Sequence, residues 1–217
     1  MSDVATTRER GREEAHQVSA RRAATRERLS DAAVRVFARK GVDGATVEEI
    51  CEEADFTRGA FYSNFGSKNE LCIDVLQRSL DRAFEALTVE LPKASATELP
   101  MDEKLNLAIE LTSRTISGDP DTVLAISEIR LQAARDPALR PAYRALNESA
   151  TPALRELVVE VMEANDVHID IPVDDLLGIM RTLYDQQMIE ALISGAPDKA
   201  GAVSSQMATL LKALMRG

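Results

Sequence analysis

The segment from Thr46 to Ser67 holds three helix-start signatures, and nothing else in the chain limits the fold so strongly. Thr46 with Glu49, and Ser67 with Glu70, form capping boxes, in which a hydroxyl and a carboxylate each satisfy a backbone N–H left unpaired at a helix start. Thr57 lies between them and is a third N-cap residue. Starts so close together leave room for only two short helices, one through about Ala54 and one through about Asn64. Asp55-Phe56 is the tight connection between them. A long helix then opens at Ser67 and runs toward Leu91.

Short helices cannot bury themselves, so their apolar faces need neighbours. Val47, Ile50 and Ala54 supply the inner face of the first, and Phe61 and Phe65 that of the second. The preceding helix, from Arg21, places Leu29, Ala32, Ala33, Val36 and Phe37 at helical spacing. Gly41 ends it as a C′ residue, and 41–45 reads as a loop. The result is a helix-turn-helix held between two longer helices, with one face of the helix after Thr57 left free. On that face Arg58, Gly59, Ala60 and Ser63 are small or basic, which suits close approach to base edges in a major groove. The helix starts at Thr46, Thr57 and Ser67 can direct backbone N–H groups at phosphates.

Charge supports this placement once it is located. The chain carries 26 Lys and Arg against 36 Asp and Glu, a formal net charge of −10. Residues 8–40, however, hold ten basic against five acidic residues, while 71–217 hold fourteen against twenty-three. Residues 1–20 have almost no apolar periodicity and read as a mobile tail, so 1–21 is expected to be a flexible basic arm.

Residues 22–82 resemble the DNA-binding domain of the TetR family of bacterial transcriptional regulators. The segment "RLSDAAVRVFARKGVDGATVEEICEEADFTRGAFYSNFGSKNELCIDVL" carries the resemblance. Leu29 to Gly41 matches the family's aliphatic-x-x-Ala-Ala-x-x-x-Phe helix ending in Gly. Thr46 to Ile50 matches its Thr-x-x-x-Ile helix, and Gly59 to Leu71 its Gly-x-Phe/Leu-Tyr-x-x-Phe-x-Ser/Asp-Lys-x-x-Leu block. The chain departs from the pattern at Cys51 (usually Ala), Asp55 (often Gly) and Asn64 (frequently His). The resemblance implies that Thr46, Thr57, Tyr62 and Lys68 contact phosphates, and Asn64, at the position of the frequent His, is counted among the DNA-binding residues. It implies that Arg58, Gly59, Ala60 and Ser63 face base edges, and that Arg21, Arg22, Arg26 and Arg28 form a backbone or minor-groove arm. It also implies that 83–217 is a helical domain that dimerises and holds a small molecule.

Composition agrees with an all-α chain of about nine helices. Strong helix formers dominate, aromatics are only 4%, and there is no Trp. All five Phe lie between 37 and 84, so the remainder must pack with aliphatic side chains and Met. Helices are expected near 101–117, 120–135, 137–165, 173–194 and 198–215, after a link at 92–100. Asp119-Pro120 and Asp136-Pro137 serve as starts, and Pro152 as a kink or break. The segment 173–194 is apolar on several faces and needs more than one partner. With 198–215 it could build a four-helix interface across a two-fold axis, using Leu176, Met180, Leu183, Val203, Met207, Leu210 and Leu214. Polar side chains inside apolar stripes, namely Thr112, Ser127, Arg130, Tyr184 and Gln187, are candidates for a ligand pocket. With only two Tyr in this region, an apolar ligand bearing one or two polar groups fits better than a stacked flat one.

Other chemistry finds no support. His16 and His168 lack partners at ligand spacing, so no metal is expected. Cys51 and Cys72 read as small buried thiols. No phosphate loop, nucleophile elbow or other catalytic constellation is present, and no cofactor is expected. No apolar run is long enough for a membrane span and no secretory signal is evident, so a cytoplasmic protein is expected. The reading is a non-enzymatic, ligand-responsive repressor that binds a palindromic double-stranded DNA operator as a homodimer and is released by an amphipathic organic inducer. The alternative is a helical small-molecule binding or adaptor protein whose helix-turn-helix no longer binds DNA.

Overall fold

The computed structural model describes residues 3–116, 119–195 and 200–216. Among these lie nine helices and one two-stranded ribbon: α1 (Asp3–Gly44), α2 (Val47–Ala54), α3 (Arg58–Asn64), α4 (Lys68–Ser95), α5 (Met101–Ile116), α6 (Pro120–Arg135), α7 (Arg140–Ala164), β1 (His168–Ile169), α8 (Val173–Ile193), α9 (Ala200–Leu214) and β2 (Met215–Arg216).

The local signals act where the sequence puts them. Thr46 and Glu49 complete a reciprocal capping box on α2. Thr57 Oγ1 accepts from Ala60 N at 3.2 Å, and Ser67 Oγ from Glu70 N at 3.1 Å. Asp55 closes α2 in the left-handed region at φ 58°. Gly41 breaks α1 at φ 71°, so the helix proper stops at Lys40 and a single helical turn follows. Asp119 caps α6, with Pro120 in its first turn.

Four expectations need correction. Backbone 3–20 is helical and continuous with the rest of α1, although 1–21 was expected to be a flexible arm. Ala, Arg and Glu favour helix there without any apolar stripe, and Gln17, Ser19, Ala20, Arg21 and Arg22 are all exposed. α4 continues through Pro92 to Ser95, because a missing N–H costs little when one turn remains and Ala96 N still bonds Pro92 O at 2.9 Å. Pro152 does not divide α7. Next to it the Thr151 hydroxyl donates to Asn147 O at 2.9 Å, within the same turn. Asp136 caps a turn through Ala138 N rather than a helix, and α7 opens at Arg140.

Phe37, Phe61, Phe65, Leu29, Ile50 and Leu71 are fully buried between α1, α2, α3 and α4. Each buried aromatic or aliphatic side chain contributes about 1.5–3 kcal/mol. This core does not stop at the helix-turn-helix. It continues through Ala125, Ile129 and Ala133 of α6 to Leu139 and Leu146, so α6 lies directly on α1. The boundary at 82/83 falls inside α4, which serves both regions. At the far end β1 pairs antiparallel with β2, His168 opposite Arg216 and Ile169 opposite Met215. Two-residue strands paired across so long a separation leave no periodic signal in the sequence.

Candidate DNA interface and ligand cavity

α3 presents Arg58, Gly59, Tyr62 and Ser63 to solvent, with Ala60 half-buried, while Phe61 and Asn64 turn inward. Tyr62 is 52% exposed and packs edge-on to Phe61, 5.2 Å between ring centroids. The Arg58 guanidinium stands 5.9 Å over the Tyr62 ring and pairs with Glu48 of α2 at 2.6 Å. Glu48 therefore holds the one exposed cation of α3 across the face that a duplex would meet. Arg21 and Arg22 are exposed. Thr46 and Thr57 spend their hydroxyls on their own helices, and a phosphate there would meet the backbone N–H groups.

Four residues expected at DNA also have partners within the protein. Arg26 donates to Asp74 Oδ1 at 2.7 Å, to Glu70 and to the Asn64 carbonyl, and lies 4.1 Å from the Phe65 ring centre. Arg28 donates to Ala54 O at 2.9 Å and stacks on Phe56 at 4.5 Å. Lys68 donates to Val42 O at 2.6 Å and Ala45 O at 2.8 Å, fastening the loop ahead of α2. Asn64 is 9% exposed, and its Nδ2 donates to Ala60 O at 2.8 Å. A guanidinium or ammonium near a helix end bonds whatever carbonyls or carboxylates the fold places within reach, which spacing along the chain does not reveal.

Asp74 was missed at the sequence level and organises this region. It accepts from Arg26, from Ser30 at 2.6 Å and from Arg78 at 2.9 Å, joining α1 to α4. Burial alone would raise its pKa, but the hydrogen bonds from Ser30, Arg26 and Arg78 outweigh that and hold it below the usual carboxylate value. Burial pushes the Cys72 thiol up to about 12, and burial with Glu48 nearby raises Cys51, so neither is a reactive thiolate near neutral pH.

A cavity of about 440 Å³ lies between α4, α5, α6, α7, α8 and α9. Its walls are mostly Leu, Ile, Val, Ala and Met side chains, and Ser127, Arg130 and Tyr184 are among the lining residues. Ser127 Oγ donates to Val123 O at 2.9 Å, back into its own helix. Arg130 Nη1 pairs with Asp185 at 2.5 Å. Gln187 does not line the cavity and bonds Gln206 of α9 instead. The Thr112 side chain lies outside the described residues. Asp185, Lys104 and Asn165 also line the cavity and were missed. For Asp185 the available signal was an acid inside an apolar helix, four residues after Arg181.

Residues 102–217 match the tetracyclin repressor-like C-terminal domain, and residues 29–75 match the bacterial regulatory proteins of the tetR family. The chain belongs to the TetR family. Among curated TetR-type relatives, the transcriptional regulator SrpR of Pseudomonas putida is 42% identical over 62 residues, 29% of this chain and 29% of SrpR. The match thus spans under a third of that relative's length. The transcriptional repressor AcnR of Corynebacterium glutamicum is 24% identical over 172 residues, 79% of this chain and 84% of AcnR. The solved structure of the transcriptional regulator FadR from Bacillus subtilis, in complex with stearoyl-CoA, superposes with a TM-score of 0.67 at 19% identity, covering 85% of this chain and 96% of that one. Among the described residues no helix is long and apolar enough to cross a membrane, and no metal-ligating cluster is present.

Within this TetR-family chain the outward side of α8 and α9 mixes apolar and small residues with polar ones such as Asp175, Thr182, Gln186 and Gln206. Ile179 is 41% and Ile193 73% exposed, and nothing lies within 4 Å of a Cβ built at Gly178. Thr209 and Ala213 of α9 are exposed, and Leu183, Leu210 and Leu214 are half-buried. Leu176, Met180 and Met207, expected at an interface, line the cavity of their own chain. A helix apolar on several faces does not reveal by periodicity which face its own chain covers. The Val203 side chain lies outside the described residues.

Proposed function

We propose that this TetR-family regulator acts as a repressor. Two copies join through α8 and α9 and place both α3 helices in successive major grooves of a palindromic operator. An amphipathic small molecule entering the cavity releases the dimer from DNA. The observation that carries the reading is that α4 and α6 wall the cavity and also hold the helix-turn-helix, α4 through Leu71 and Cys72, α6 through Ala125 and Ile129. A ligand that fits only one arrangement of these helices shifts the population of DNA-competent dimers. The exposed Arg58 and Tyr62 favour DNA binding over an adaptor role.

The test is selection of duplex from random-sequence DNA by the purified protein, followed by titration of the selected site. An inverted repeat bound by two copies, and displaced by amphipathic organic compounds that raise the melting temperature, is the expected result. Selection of no site, or displacement without any thermal shift, overturns the reading.

A further inference from the structure

Two buried side-chain nitrogen or oxygen atoms have no hydrogen-bond partner among the described residues, Asn64 Oδ1 and Arg130 Nε. The second belongs to a residue that lines the cavity. Other polar groups of the wall are engaged: Lys104 with Ser95 O at 3.0 Å, Asn165 with Ser95 Oγ at 2.6 Å, Arg181 with Asn147 Oδ1 at 2.9 Å. A buried N–H without an acceptor is a standing penalty that a correctly placed ligand oxygen removes.

The geometry around Arg130 selects the kind of oxygen. Asp185 takes Nη1, which lies on the opposite side of the guanidinium from Nε–H, so the ion pair does not occupy the Nε edge. That edge offers parallel N–H groups that match the two oxygens of a carboxylate. Charge points the same way. Arg181 Nε lies 4.0 Å from the same Asp185 oxygen, so two guanidinium groups face one carboxylate. Among the described residues that line the cavity Asp185 is the only acid, in a region, 71–217, where acids outnumber bases twenty-three to fourteen. One added negative charge balances this cluster, whereas a neutral ligand leaves it unbalanced.

The shape of the cavity describes the rest of the ligand. Its lining residues on α4 run from Ser79 to Ser95, about 24 Å of helix. Ile126, one turn before Arg130, packs against the core shared with the helix-turn-helix, which puts the guanidinium toward that end. Leu105, Val158, Met162 and Met188 line an apolar course beyond it.

We propose that the ligand is an elongated apolar monocarboxylic acid whose carboxylate pairs with the Arg130 guanidinium. The inference rests on the cavity being the ligand site. Calorimetric titration of the full chain with octanoic, dodecanoic and hexadecanoic acids, dodecan-1-ol and methyl dodecanoate tests it. The best acid is expected to bind at least about tenfold tighter than the alcohol or ester. Arg130→Met brings the acid down to the level of the alcohol, and Arg130→Lys, which keeps charge without the fork, recovers only part of the difference. Circular dichroism melting establishes that both variants fold. Equal binding of acid and alcohol, no binding by any acid, or an acid preference that survives Arg130→Met overturns the proposal. Ala108→Trp, which fills the cavity, separates the two readings. If it abolishes alcohol binding while Arg130→Met leaves the acid preference intact, the cavity is the site and Arg130 is not the anchor. If it leaves every ligand bound as before, the cavity reading falls too.

Discussion

Gly41 at the end of the first long helix and Glu128 in the middle of α6 are in contact range: a Cβ built on Gly41 would lie 2.9 Å from Glu128 Oε2. The glycine also sits at φ 71°, a conformation in which a side chain is strained whatever the space. Gly41→Ala is therefore expected to cost about 1–2 kcal/mol of stability, mainly from the backbone, because the carboxylate tip can swing aside. Urea unfolding measures it. Adding Glu128→Ala should recover only a small part of the loss, and full recovery would show that the contact, not the dihedral angle, carries the cost.

Arg58 and Lys68 are both cations near the expected DNA face, but the structure gives them different work. Arg58→Ala is expected to leave folding stability unchanged and to cost about 1–3 kcal/mol of preference at one base pair per half-site. Glu48→Ala, which frees Arg58 and removes a negative charge, should tighten binding to every duplex. Lys68→Met should instead destabilise the fold by about 1–3 kcal/mol, since two charge-assisted hydrogen bonds to Val42 and Ala45 are lost. Paired denaturation and anisotropy titrations distinguish these outcomes. Equal loss of specific and random DNA binding in Arg58→Ala would remove its base-reading role.

Acid should loosen the junction of α1 and α4 through Asp74. Its pKa is depressed in the folded state, so its contribution is fully present above its unfolded value of about 3.9 and is lost as pH falls through the lower folded value. Glu49, held to about 2 by Lys40 and the Thr46 N–H, contributes in the same direction. Melting temperature should fall more steeply between about pH 5 and pH 2 in the wild type than in Asp74→Asn. Parallel curves would show that the network adds no net stability.

The proposed dimer makes a separate demand on α8 and α9. Leu183→Glu or Leu210→Glu would bury a charge at a packed seam, and sedimentation should then report monomer with operator binding lost. Met207→Glu is a contrast, since Met207 faces the cavity: it should disturb ligand binding before association. A Leu183→Glu protein that remains dimeric would put the interface on another face.

What could be read from the chain was what local chemistry decides. Thr46, Thr57 and Ser67 start helices because their hydroxyls bond N–H groups three residues ahead, which needs no tertiary context. Phe61 within α3 and Phe65 just past its end point inward because so short a helix must bury its few apolar side chains on one side. Partners far along the chain could not be read in this way. Arg26 meets Asp74 and Lys68 meets Val42, encounters made by the fold and not by spacing. Met180 and Met207 share the apolar character of the exposed Ile179 and Ile193, and only the packing of α8 and α9 on the rest of the chain separates inside from outside.

The sharing of one core between the helix-turn-helix and α6 bears on modular exchange. Cutting the chain near 82 would strip Ala125, Ile129 and Ala133 from α1 and leave an apolar strip open to water. A hybrid that grafts this head onto another sensor would have to carry over the inward face of α6 as well. The transplantable unit is thus a discontinuous set of residues, and a natural recombination point would have to respect the α1–α6 seam, not the order of the sequence.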